Sequence, residues 1–127
     1  MEANKQQVGA HLFAAQVADI VMGPETGVVN CSAFNEKVAK IVFLSHSSRD
    51  NLTRDWKNTI ALEPDVPCYP CHKMIYNWGD CHQANDEKGE LEGVSICAKS
   101  ITVDMAWKAL CQVIPEEHFT MPEKRFA

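Results

Sequence analysis

Three groups of residues in this chain carry side chains and spacings suited to chemistry. The first is Gly23-Pro24-Glu25-Thr26-Gly27, which directly follows the apolar run Ile20-Val21-Met22 and has Asn30 shortly beyond it. A strand that ends in such a turn and leads into a helix leaves the first helical amides unpaired, with the positive end of the helix dipole behind them. Those amides suit an anion. Thr26 adds a hydroxyl, Glu25 a carboxylate able to accept sugar hydroxyls, and Gly23 and Gly27 let the backbone turn sharply and approach a ligand. A diphosphate-linked ligand fits this pattern, although the same string also reads as a plain turn and helix cap. Magnitudes limit the site: a helix terminus contributes roughly 0.3–1 kcal/mol per charge, whereas micromolar binding needs about 8 kcal/mol. A base pocket and further contacts must supply most of the affinity.

The second group is Cys68-x2-Cys71 with Cys81 and Cys97, and with His72 and His82 adjacent. Four soft ligands in an irregular stretch can hold a tetrahedral structural zinc, which would tie that stretch down. The second pair lies too far apart for a zinc-finger spacing, so two other states stay open: reduced thiols packed around Tyr69, Tyr76 and Trp78, and a disulfide. Cys68 or Cys71 acting as a nucleophile with His72 or His82 is disfavoured, because neighbours in sequence do not make a dyad in space. Cys31 and Cys111 fall on helical apolar faces and are expected in the core.

The third group is Ser45-His46-Ser47-Ser48-Arg49-Asp50, a polar loop after an apolar strand, whose plain reading is a solvated connection.

These groups need elements to position them. Apolar residues at Val8, Leu12, Ala15 and Val17 predict an amphipathic helix from about Asn4 to Ala18. Asp19 to Met22 predicts a buried strand, and Val28 to Phe34 a short helix with Thr26 near its N-cap. Val38 to Leu44 is continuously apolar apart from Lys40, as expected of a strand buried on both faces in a parallel sheet, and Thr59 to Leu62 predicts a third strand. Alternating helices and strands make the front of the chain α/β. Residues 64–99 are rich in Pro, Gly, Cys, His and aromatics and read as an irregular excursion. Helical periodicity returns over residues 100–115, with Thr102 and Asp104 as a start and Pro115 as a stop, and residues 116–127 form a polar tail. Trp56, Trp78 and Trp107 are expected as core or interface anchors.

Composition narrows the function. Apolar residues are 46% and charged residues 23% of the 127, the balance of an ordinary globule. A formal net charge of −5 with scattered basic residues argues against a nucleic-acid partner. No apolar run is long enough for a transmembrane segment, and the polar start Met1-Glu2-Ala3-Asn4-Lys5 carries no export signal. A cytoplasmic location, with reduced cysteines, is the expectation.

The run from Ala14 to Asn30, Ala-Ala-Gln-Val-Ala-Asp-Ile-Val-Met-Gly-Pro-Glu-Thr-Gly-Val-Val-Asn, resembles the donor-site signature of the ADP-heptose:lipopolysaccharide heptosyltransferase family. That signature has Ala-Asp, an apolar strand, Gly, then Asp-(Ser/Thr)-Gly-x-x-His and a small-residue helix. The likeness continues through Lys40 to Leu44, Pro67-Cys68-Tyr69-Pro70-Cys71, and a later Cys before Ser100 to Val103, so it covers roughly Gln7 to Val113. It implies the C-terminal part of a GT-B glycosyltransferase, a partial Rossmann-like parallel sheet with flanking helices. Residues 1–63 would form the donor-binding part, and the partner would be a nucleotide-sugar such as an ADP-heptose-like donor. Glu25, Thr26, Gly27, Asn30, Gly23 and His46 become the donor contacts, and transfer would require no cofactor. Glu25 stands where the family has Asp, and Asn30 where it has His; both stay polar, but the donor sugar is not fixed by them. The acceptor-binding N-terminal domain, which usually holds the catalytic carboxylate, would have to come from the same polypeptide or a partner chain.

Two alternatives stand beside this one. The chain can be a non-catalytic binding module, with or without zinc. Phe43 to Asp50 also resembles the opening strand motif of TIR domains, which implies a signalling or NAD-cleaving domain.

Overall fold

The computed structural model describes residues 5–73, 81 and 94–114. In chain order its elements are α1 (Lys5–Val17), β1 (Ile20–Pro24), α2 (Gly27–Ser32), β2 (Ala39–Phe43), α3 (Arg49–Leu52), β3 (Thr59–Leu62), α4 (Ile96–Ser100) and α5 (Val103–Val113). The three strands form one parallel sheet in the order β1-β2-β3. The class is α/β, with a small parallel sheet and flanking helices, consistent with a partial Rossmann-like arrangement. Among the described residues, no helix is long and apolar enough to cross a membrane.

β2 is central, which explains its composition. Side chains alternate between the faces of a strand, so a strand with helices on both sides must be apolar at consecutive positions. Val38, Ile41, Val42 and Leu44 are all essentially inaccessible to solvent. Register sets which residues share a face: Gly23 lies beside Val42 and Val42 beside Ala61. On that face Val29 of α2 packs with Val42, Leu44 and Ala61, bordered by Val21, Leu52, Trp56 and Tyr69. Gly23 permits the close approach, since a Cβ there would sit 3.1 Å from Val29 Cγ2. Phe43 faces the other side, toward α4 and α5. α5 begins at Thr102, whose hydroxyl accepts from the Met105 amide at 3.2 Å, and buries Ala109.

Lys40 is the exception within β2. Its side chain is fully buried, yet its ammonium donates to three carbonyls, those of Asn35 (2.9 Å), Val38 (2.7 Å) and Lys57 (3.1 Å). The amine thus ties together the segments that lead into β2 and β3. Burial pushes its pKa down and Glu36 offsets this in part.

Several expectations need correction. α1 is a helix but not an amphipathic one: Ala15 is buried, while Val8, Phe13 and Val17 are exposed. Its apolar residues are spread around the axis rather than stacked on one face. Cys111 is exposed and Cys31 only half-buried, because α5 turns its Ala109 side to the sheet and α1 covers Cys31 incompletely. Trp107 is likewise half-exposed. The loop after β2 contains a one-turn helix, α3, capped by Ser48, whose hydroxyl accepts from the Asn51 amide. Inside the stretch expected to be irregular, α4 forms just before α5. Trp78, Tyr76 and His82 lie outside the described residues, as does the expected tail.

Candidate functional site

The carboxyl ends of β1 and β2 lie side by side, so the loops that follow them meet. Ligands of open parallel sheets bind at this edge. The β1–α2 turn holds Glu25, Thr26 and Gly27. Thr26 and Gly27 are exposed, as is Asn30 one turn along α2. The Thr26 amide donates to Pro24 O at 2.7 Å, and the Asn30 amide donates the first helical bond to Thr26 O at 2.9 Å. Thr26 occupies the N-cap with extended backbone, but its hydroxyl makes no capping bond to α2. A Cβ placed on Gly27 would meet only open space. Gly23 differs from its neighbours: it is buried under Val29, and its small size serves strand–helix packing.

Glu25 has a conspicuous environment. Its side chain is only 5% exposed, and it receives four donors from the loop after β2. Ser45 Oγ donates to Oε2 at 2.7 Å, the Ser47 amide to Oε1 at 3.1 Å and the His46 amide to Oε2 at 3.3 Å. His46 Nδ1 stands 2.7 Å from Oε2. A carboxylate has about four lone-pair positions, so the chain's own donors occupy it. Glu25 therefore stitches the β1–α2 turn to the β2–α3 loop. His46 itself is about half-exposed. Ser45 Oγ lies 3.4 Å from His46 Nδ1, the ring nitrogen that already faces the carboxylate. A nucleophilic serine must instead face the nitrogen opposite the carboxylate. Ser45 is a ligand of Glu25, not an activated nucleophile.

Next to Ser45 a cavity of about 280 Å³ opens between the sheet edge and the α4–α5 segment. Pro24, Phe43 and Leu44 form one wall and Ile101, Val103 and Ala106 the other, so it is almost wholly apolar. Pockets that enclose a whole small ligand run to roughly 300–1,000 Å³. This one has room for one apolar moiety of a larger ligand.

A second polar cluster sits at the end of β3. Arg49 pairs with Glu63 at 3.1 Å, and the Tyr69 hydroxyl donates to the same carboxylate at 3.1 Å. Burial, then the hydrogen bond to Glu63, pushes the Tyr69 phenol well above its ordinary range. The His72 amide donates to His46 O at 2.9 Å, which fastens the Cys71 end of this segment to the site loop.

Cys68, Cys71, Cys81 and Cys97 are all free and half-buried. Among the described residues no three His, Cys, Asp or Glu side chains converge as a metal site. Cys97 is instead within 3.0 Å of Ser95 Oγ.

Of the residues expected to share a site, Glu25, Thr26, Gly27, Asn30 and His46 do lie on the two adjoining loops and the start of α2. Sequence reasoning did not anticipate Ser45 and Ser47 as ligands of Glu25, nor the cavity wall from Ile101 to Ala106. A bond between residues 25 and 45 follows from parallel register, and that register is invisible until β1 and β2 are paired. Comparison with family models, curated proteins and solved structures yields no match to the chain. The functional reading therefore rests on the motif residues and their geometry.

Proposed function

We propose that the chain is the donor-binding part of a nucleotide-sugar-dependent glycosyltransferase of the heptosyltransferase-like kind. An acceptor-binding domain, in the same polypeptide or in a partner chain, would complete transfer. One observation carries this reading: the exposed Thr26–Gly27 turn and an apolar cavity share the carboxyl edge of a parallel sheet. The turn offers a hydroxyl and backbone amides to a pyrophosphate. The cavity offers an apolar wall to the base, and Asn30 and His46 are further candidate donor contacts. The motif likeness to the heptosyltransferase donor site supports the same assignment.

Calorimetry with ADP, ADP-sugars and UDP-sugars tests it. An ADP-sugar is expected to bind with a dissociation constant between roughly micromolar and millimolar, or about 4–8 kcal/mol. Replacing Ala106, in the cavity wall, by Phe should weaken binding at least about tenfold, or 1.4 kcal/mol. Absence of heat with every nucleotide, from folded protein at millimolar ligand, rules the reading out.

A further inference from the structure

The bonds around Glu25 engage one ring nitrogen of His46 and, among the described residues, leave the other without a hydrogen-bond partner. Nδ1 faces the buried carboxylate at 2.7 Å, so it carries the proton, and Nε2 is left as the atom available to a ligand. The carboxylate is held by Ser45 Oγ and the Ser47 amide from the same loop, so it cannot swing away when the ring charges. The ring is held at Nδ1, and the side chain as a whole is about half-exposed. Glu25 is also the residue immediately before Thr26, so the dyad stands beside the turn proposed to hold the pyrophosphate.

We infer that Glu25 and His46 form a carboxylate–imidazole dyad in which Glu25 positions the ring and His46 Nε2–H, when protonated, contacts the pyrophosphate of the nucleotide-sugar. This deepens the donor-binding reading and rests on it. It also gives Glu25 a different part from the sugar-hydroxyl contact its type suggested, because its oxygens are already engaged. The step is binding alone: no bond breaks, and the charged ring donates Nε2–H to the anion. A charge-assisted contact to phosphate is roughly twice as strong as a neutral one, so affinity should follow the charge of the ring.

The adjoining segments carry Arg49, Glu63, Tyr69 and His72. Arg49 and Glu63 pair with each other, Tyr69 donates to Glu63, and His72 touches His46 through its backbone amide. His72 has its ring near Asn51, with Nδ1 3.4 Å from the amide nitrogen.

The test uses ADP-glucose, a pyrophosphate diester that does not itself titrate near neutrality, with the whole chain. Wild type should bind about tenfold more tightly near pH 5 than near pH 8, as expected of a contact that needs the charged ring. His46→Gln should bind with little pH dependence, at the weaker affinity. Glu25→Gln should weaken binding near pH 5, because the ring loses the carboxylate that positions it, while His72→Gln should leave the profile in place. Nitrogen chemical shifts of the His46 ring give an independent reading and should show a proton on Nδ1 in the neutral protein. A flat wild-type profile, or a His46→Gln profile like wild type, overturns the dyad while leaving donor binding intact. A proton on Nε2 in the neutral ring overturns it as well. Failure to bind at any pH overturns both readings together.

Discussion

Lys40 shows how a single side chain can decide the position of two strands. A buried ammonium is costly unless its donors are used, and here all three are used, on carbonyls from three separate positions. Lys40→Met keeps the length of the side chain but strands those carbonyls. An unsatisfied buried polar group costs about 1–3 kcal/mol, and the burial of a methionine offsets part of this, so a net loss of roughly 2 kcal/mol is expected. Urea denaturation checks it: the midpoint should fall with the slope unchanged. The pH dependence has a definite sign. Burial holds the folded pKa below 10.5, so as pH falls the unfolded chain takes up the proton first. The stabilising share of Lys40 is therefore greatest above pH 10.5 and declines to a constant below the folded value. The gap between wild type and Lys40→Met should narrow on going from alkaline to neutral pH. A gap that widened would contradict the burial argument.

At the scale of elements, the contact between β1 and α2 positions the site turn, and it depends on a residue with no side chain. Gly23 and Val29 are so close that a Cβ would need the valine methyl to give by a few tenths of an ångström. Gly23→Ala should be nearly neutral, because alanine costs less backbone entropy in a strand. Gly23→Val should cost about 1–3 kcal/mol by overpacking. Pairing it with Val29→Ala should recover more than half of that loss, as expected for residues in direct contact. Thermal melts of the four proteins decide the matter, and simple additivity would sink the packing account. Gly23 and Val29 also show what a sequence reveals. Strands β2 and β3 were legible because a buried strand in a parallel sheet is a short, unbroken apolar run, as Ile41-Val42-Phe43-Leu44 is. The face of α1 was not legible. Its Val8 and Val17 satisfy a helical spacing on paper, but helices are oriented by what they pack against, and α2 meets α1 near Ala15, Gln16 and Cys31 instead. The short helices α3 and α4 were missed because a single turn has no measurable period. In the site, Glu25 and His46 each stood out by type, but the bonds joining them depend on register between β1 and β2.

For the molecule as a whole, what matters is how small the buried core is among the described residues. Nine apolar residues are buried among those described, four of them alanines. Each fully buried Val, Leu or Ile contributes only about 1.5–3 kcal/mol, and folded domains keep a small surplus of roughly 5–15 kcal/mol over their conformational entropy. Against so thin a margin, any ligand that binds only the folded chain must register strongly. At a free concentration of one hundred times Kd it adds about 2.7 kcal/mol. A domain of this size shifts its melting temperature by roughly 3–5 °C per kcal/mol. An ADP-sugar at that excess should therefore raise Tm by about 8–13 °C. The site geometry adds a second requirement. The cavity is walled by Ile101 and Val103 on one side and by Phe43 on the other, so an occupied cavity ties α4 and α5 to the sheet edge. Hydrogen exchange at the start of α5 should slow with ligand more than exchange in α1, which has no wall in the cavity. If Tm rises while α1 and α5 are protected equally, the ligand has stabilised the chain from some other surface, and the cavity is not its seat.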